Sequence, residues 1–299
     1  MGGRQAAVLL PLVLAAAEPC LAEDTFRAEA GLAFTKMSSD AQREKAVGVD
    51  ATYYFANLPS APKDTPYEQV QFVERVGSVS ANYAGTSLDL DGYETVGKGS
   101  DYGVAIQFAR PGMPLLAVAR YESSSTGRHT TATGNDFRAD SRGYQLSLGA
   151  YVARTTTLTL DWAKAETRNR NSNLPDINNT SKLVGLTGQH LGSFPGGGHY
   201  AVTAVAAQIT HESDDGSPSE KNKEFAVIGT YYPTKTLGLK IGVSVNHGDD
   251  QLSEGETYVA GVRNFFTEAF SLSLDYLKFN AKLQGNASDT IMLRAVLRF

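Results

Sequence analysis

Apolar side chains recur at every second position through most of the chain. Phe26, Ala28, Ala30, Leu32 and Phe34 alternate with Arg27, Glu29, Gly31 and Ala33. Val47, Val49, Ala51, Tyr53 and Phe55 alternate with Gly48, Asp50, Thr52 and Tyr54, and Leu237, Leu239, Ile241, Val243 and Val245 with Gly238, Lys240, Gly242, Ser244 and Asn246. The same beat runs through Tyr102–Phe108, Tyr144–Val152, Leu158–Trp162, Tyr258–Val262 and Phe270–Leu274. A helix would scatter both classes around its circumference, so the period predicts β-strands. Fourteen spans are expected, starting near Thr25, Glu44, Val76, Asp101, Leu115, Asp140, Thr156, Ser181, His199, Lys223, Thr236, Glu256, Ala269 and Ala287. Lys182–Leu191, Tyr200–Thr210 and Glu224–Tyr232 alternate poorly, which leaves their facing open.

The connections alternate too. Tight turns at Arg110–Pro114, Ala153–Thr155, Pro233–Lys235 and Phe266–Glu268 follow even-numbered spans, whereas longer polar loops, Ser123–Ala139 and Thr167–Thr180, follow odd-numbered ones. Short turns at one end and longer loops at the other are what a membrane barrel shows when both termini lie in the periplasm. Asn57–Pro66 breaks the rule: with Pro59, Pro62 and Pro66 it is too long for a tight turn. It is expected either to lie in the periplasm or to fold back as a partial plug.

The two ends fit the barrel. Ile291, Leu293, Ala295, Leu297 and Phe299 share one face of the last span, and Arg294 and Arg298 lie on the other, which hydrocarbon would not accept. Arg4, the apolar run Ala6–Ala17 and the small residues around Cys20-Leu21-Ala22 predict a secretory signal over 1–22, with Ala17 the alternative cut. The run is too short for a membrane-spanning helix. Cleavage would remove the only cysteine, leaving a barrel domain over 23–299 with no thiol. Abundant Gly, Thr, Ser and Tyr suit a barrel, and a net charge of −5 argues against a nucleic-acid partner.

A soluble β-sandwich would also alternate. Its exterior favours Lys and Glu, whereas here many of the polar positions are Gly, Ser, Thr, Asn or charged, strand after strand, as an aqueous lumen tolerates. Aromatics at span ends, Tyr53-Tyr54-Phe55, Tyr83, Tyr231-Tyr232, Phe265-Phe266 and Phe299, suit interfacial girdles. With the leader, the spans and the terminal Phe, the chain resembles the general bacterial porins of Gram-negative outer membranes. Val47–Phe55 and Phe72–Tyr83 are similar to a smaller porin group within that set. The resemblance implies a channel for small hydrophilic solutes, and assembly by a barrel-inserting machinery that reads the C-terminal strand through Phe299, Leu297 and Ala295. Two departures matter. Trimeric members usually have sixteen strands and fold a long third loop into the bore.

Strict alternation places Arg27, Glu29, Asp50, Arg120, Asp161, Lys240, Arg263, Asp275, Arg294 and Arg298 in the lumen, with Arg298 near the periplasmic rim. Each could simply be solvated or paired across strands. Basic residues slightly outnumber acidic ones, so a weak anion preference is expected.

Catalytic chemistry is not evident. His129, His190, His199, His211 and His247 form no His-Glu-x-x-His, and His190 and His199, flanking Phe194–Gly198, make a poor metal site as two imidazoles alone. The acidic tips Asp89–Gly92, Asp214–Gly216 and Asp249-Asp250 lack calcium-loop spacing and read as turns. Asn178-Asn179-Thr180 and Asn286-Ala287-Ser288 match a glycosylation sequon, which carries little in a bacterial chain. The expectation is an all-β, antiparallel, up-and-down transmembrane barrel of about fourteen strands, twelve to sixteen being open. It is expected to act as a passive diffusion channel with no cofactor and no metal. Partners would be outer-membrane lipids, lipopolysaccharide and small solutes, in a monomer or homotrimer. A closed, adhesive barrel is the alternative, and a lipid hydrolase the third.

Overall fold

The computed structural model describes residues 25–39, 42–90, 97–126, 129–130, 136–171, 174–248, 254–281 and 287–299. The leader, the Asp91-Gly92 and Asp249-Asp250 tips and Asn286 lie outside the described residues. The strands are β1 (Thr25–Ser39), β2 (Gln42–Pro59), β3 (Ser78–Leu90), β4 (Gly97–Ala109), β5 (Leu115–Ser125), β6 (His129–Thr130), β7 (Asp136–Ala153) and β8 (Thr156–Asn171). Then follow β9 (Leu174–Ser193), β10 (His199–Ser213), β11 (Glu220–Tyr232), β12 (Leu237–Gly248), β13 (Gly255–Phe265), β14 (Phe270–Ala281) and β15 (Ser288–Arg298). Each pairs antiparallel with its neighbours, and β1 pairs with β15 over Glu29↔Arg298 to Ser39↔Ser288. β6 is a two-residue strand lying only against β7, and β5 pairs directly with β7. Fourteen strands therefore close the cylinder. Closure gives each of these fourteen strands two partners, which a lipid-embedded sheet requires.

The spans begin close to the expected positions. The exceptions are β4, β7 and above all β9, which starts at Leu174, so that Thr167–Asn171 and Leu174–Thr180 belong to the strands of a tall β8–β9 hairpin rather than to a polar loop. That hairpin is predominantly polar, so its strands rise beyond the apolar band.

The outer face carries the apolar residues: Leu160, Ile241, Val184 and Leu115 are among the most exposed side chains. Outward alternation fails near the start of β1. Between the pairs Phe26↔Leu58 and Ala28↔Tyr53 the ladder is irregular, with extra residues on β2. A bulge of this kind changes the facing of the residues beside it. Phe26 therefore turns inward and is buried, and Arg27 turns outward, correcting its expected place in the lumen. The Arg27 guanidinium stands 5.2 Å from the Tyr53 ring centre and donates to the carbonyls of Tyr54 and Phe55, both at 3.3 Å.

Candidate functional site: the bore and its periplasmic plug

After Pro59 the chain leaves the sheet. Proline cannot donate to a ladder, and three of them in eight residues keep this stretch out of any strand. It continues as a 3-10 turn, Tyr67–Gln69, and a short helix, α1 (Val70–Glu74), before returning to β3. Arg75 ends α1 in the left-handed conformation, φ 55°, which costs a non-glycine residue about 1 kcal/mol. Its side chain is held there by the Tyr151 ring, 4.3 Å away, and by the Ala153 carbonyl at 3.2 Å.

This segment folds into the barrel. Val70 and Val76 pack with Phe26, Tyr54 and Leu58 on the β1–β2 wall. Phe72 and Val73 pack against Leu191, Ala201 and Tyr232 on β9–β11, and Tyr151 on β7 donates to the Phe72 carbonyl at 3.1 Å. In the order of strands around the barrel, β1 and β9 are seven apart of fourteen, so the segment reaches opposite walls. Polar contacts complete the crossing: Tyr67 N–H donates to the Lys235 carbonyl at 3.0 Å, and Gln69 Nε2 donates to the Tyr232 hydroxyl at 2.8 Å. Of the two expectations for Asn57–Pro66, the structure has the fold-back, and the following Tyr67–Glu74 forms its inner part.

Arg298 anchors the plug. Its guanidinium is only 7% exposed. Nε donates to Glu29 at 2.8 Å and Nη2 to the Tyr67 carbonyl at 2.9 Å. The rings of Phe26 and Phe265 sit on it, each 4.5 Å from Cζ, a geometry favourable to a desolvated cation. One side chain thus ties β15, β1, β13 and the plug. Arg263 makes a second tie, reaching Glu68 at 2.9 Å, and Glu68 also accepts from Tyr232 at 3.1 Å.

Farther into the bore are two ion pairs built alike. Arg294 on β15 holds Asp50 on β2 with two hydrogen bonds, 3.1 and 2.6 Å, and Lys240 on β12 meets Asp275 on β14 at 2.8 Å. In each, the partners belong to strands separated by one other strand. The residue of the intervening strand nearest each carboxylate is glycine, Gly31 or Gly261. A Cβ there would lie 2.4 Å from Asp50 Oδ1 or 2.2 Å from Asp275 Oδ1. Glycine is needed because a carboxylate crosses over that backbone.

Of the other expected lining residues, register puts Arg120 and Asp161 on the inner face. Arg120 Nη1 reaches only Glu122, at 3.5 Å, and Asp161 accepts from the hydroxyls of Thr187 at 2.6 Å and Thr159 at 3.3 Å. Leu293, Ala295 and Leu297 face outward, and the Phe299 carbonyl accepts from the backbone of Arg27 and Ala28, completing the β1–β15 seam. Sequence reasoning missed Glu44, Glu68, Asp101, Glu122 and Glu224. Register turns the four strand residues inward, and the plug brings Glu68 there. Glu224 sits in a stretch that alternates poorly because its inner face also carries Ile228, and Glu44 and Asp101 mark span starts where phase is hard to read. Among the described residues, acidic groups therefore outnumber basic ones along the bore.

Three histidines pair with hydroxyls: His190 with Thr156 at 2.8 Å, His211 with Ser181 at 2.8 Å and His199 with Ser193 at 2.9 Å. A triad needs a carboxylate on the second ring nitrogen, and none of these three has one among the described residues. Nor do the described residues contain a group of three or more His, Cys, Asp or Glu suited to a metal.

A closed barrel, apolar outside and polar within, is the architecture of an outer-membrane barrel protein. The chain belongs to the family described as "Putative general bacterial porin", whose model matches residues 5–178. No curated protein matches the sequence. Among solved structures, the chain is similar to the outer membrane protein Omp33 of Acinetobacter baumannii, with 14% identity and a TM-score of 0.57 over 92% of this chain and 99% of that one. It is also similar to a deletion mutant of TodX, described as a monoaromatic hydrocarbon channel, with 12% identity and a TM-score of 0.50 over 93% of this chain and 90% of that one. Likeness at these identities shows the fold. The protein is an outer-membrane barrel of the porin family with a channel role.

Proposed function

We propose that the protein is a passive diffusion channel for small hydrophilic solutes and ions, restricted at its periplasmic end by the 57–77 segment. The observation that carries this is the polar inner face above the plug, where Asp50–Arg294 and Lys240–Asp275 set opposite charges along a hydrated wall. Fourteen strands enclose a wider bore than the eight that side chains alone can fill. The surplus of luminal carboxylates supports a cation preference, which replaces the anion preference read from the sequence. That reading had counted Arg27 as luminal and omitted five acidic residues. The hydroxyl–imidazole pairs, lacking a carboxylate, support no catalytic role.

Planar-bilayer recording of the refolded chain tests the proposal. Small ohmic steps with a cation-selective reversal potential are expected. Replacing residues 60–76 by a short Gly-Ser turn should raise the conductance several-fold. Silence from both proteins, each shown to be folded and inserted, would end the channel reading. The plug itself favours a second reading, a closed structural barrel. A wild type silent at every voltage beside a conducting plug-deleted variant would move the weight there.

A further inference from the structure

The outer face of β7, β8 and β9 changes character row by row toward the extracellular end. Leu146, Trp162 and Val184 form one outward row, all well exposed. The next row is Tyr144, Lys164 and Lys182, and above it come Arg142, Glu166 and Thr180. The two rows beyond hold Arg168 opposite Asp140 and then Arg170 opposite Arg138. The Tyr144 ring continues through Tyr121 to Tyr102, with centroids 5.2 and 6.1 Å apart. A tyrosine group directly above an apolar row marks the boundary between acyl chains and headgroups. The arginines therefore project outward, away from the bore, at headgroup height.

They are not matched by acids. Lys164 takes Glu166 at 2.6 Å and Arg168 takes Asp176 at 2.6 Å, while Asp140 is shared by Arg138 at 3.0 Å and Arg170 at 3.4 Å. Arg142 has no hydrogen-bonded or ion-paired partner among the described residues. Beside β7 and β8 these rows open onto a cavity of about 540 Å³ lined by the four arginines, by Ser123 and Ser125, and by the carboxylates Asp140 and Glu166. Surplus guanidinium groups over a protein of net charge −5 are local, and their chemistry is that of phosphate recognition. From Arg142 up to Arg138 is about 13 Å of strand, and β7 to β9 about 10 Å of sheet. A single phosphodiester headgroup would occupy one corner of that footprint, whereas a phosphorylated disaccharide would cover it.

We propose that this face binds the phosphorylated saccharolipid of the outer leaflet. Arg142, Arg168 and Arg170 take its phosphates, and Leu146, Trp162 and Val184 lie along its acyl chains. The site is separate from the bore and does not depend on conduction. Trp162 is the chain's only tryptophan, and it sits two rows below Arg142, so its fluorescence reports occupancy.

The test titrates the refolded protein in detergent with bisphosphorylated lipid A and follows Trp162 emission. A saturable shift is expected. R142A/R168A/R170A should weaken it about ten-fold, and Arg110→Ala, at a periplasmic turn, should not change it. Lipid A stripped of phosphate, and phosphatidylglycerol, should each titrate far more weakly. Heat-modified mobility in gels checks that the variants are folded. If the triple variant fails to fold, Arg142→Ala, which removes no internal partner, should still weaken binding about three-fold. Unchanged titration in the folded variant, equal binding of dephosphorylated lipid A, or equal binding of phosphatidylglycerol would each overturn the proposal.

Discussion

Ion pairs occur at both ends of this barrel, and they behave as two different materials. At the periplasmic end Arg298 is 7% exposed and locked between two rings, a carboxylate and a carbonyl. At the extracellular end Arg168 holds Asp176 at 2.6 Å, yet the arginine is 53% exposed. The two distances are alike. What differs is the surrounding dielectric and what is left behind when a partner goes. A buried pair broken from one side strands a charge without water; an exposed pair exchanges its partner for solvent and ions. The lower pairs therefore hold architecture together, and the upper ones leave charge available to a ligand.

Substitutions that break the lower set should have the largest effects. Arg298→Ala leaves Glu29 without its cation beneath the plug and should destabilise the barrel by about 3 kcal/mol, read as an earlier urea midpoint in detergent. Arg298→Lys should recover only part of this, since an ammonium cannot reproduce the planar fork that serves Glu29, Tyr67 and the two rings. Gly31→Ala and Gly261→Ala come next. Each places a methyl group where a carboxylate oxygen lies, so each should cost about 1–3 kcal/mol and disrupt its own ion pair but not the other. Equal stability for both variants would show that the carboxylates do not need that crossing.

Glu68→Gln sharpens the comparison on the functional side. It keeps the size of the side chain but removes the charge that Arg263 grips at 2.9 Å. Conductance or open probability should rise several-fold, with a smaller drop in the unfolding midpoint than Arg298→Ala because Arg263 and Glu68 are 22% and 23% exposed, and an unchanged record would separate the latch from the plug's hold on the wall. The smallest effect belongs to the upper rim. Arg168→Ala should leave the unfolding midpoint unchanged within error, and a clear loss would mean that exposed pairs also carry structure here.

The strands were legible because lipid outside and water inside impose opposite demands on alternate residues. Legibility failed wherever the inner face was not polar. Ile228 and Leu183 point inward among charged and hydroxyl neighbours, which blurred the period in β9 to β11. Phe26 and Arg27 were read in the wrong phase because one β-bulge reversed them, and nothing in a strictly alternating run announces a bulge. The luminal charges Asp50, Lys240, Asp275 and Arg294 could be placed on a face, but their partners could not be named. Glycines at 31 and 261 looked like generic small residues until a carboxylate was seen crossing each.

Two-residue periodicity and the spacing of turns by themselves determined an antiparallel membrane barrel of about fourteen strands, since those features follow from local backbone geometry and the solvent on each side. Only the tertiary structure decided that the proline-rich segment enters the bore, that Arg298 is its anchor, and that the extracellular arginines gather on one outer face. These facts depend on which residues closure brings together across one strand or across the whole bore. Positions 29 and 298, or 68 and 263, become neighbours only when the last strand meets the first and the plug folds against the far wall.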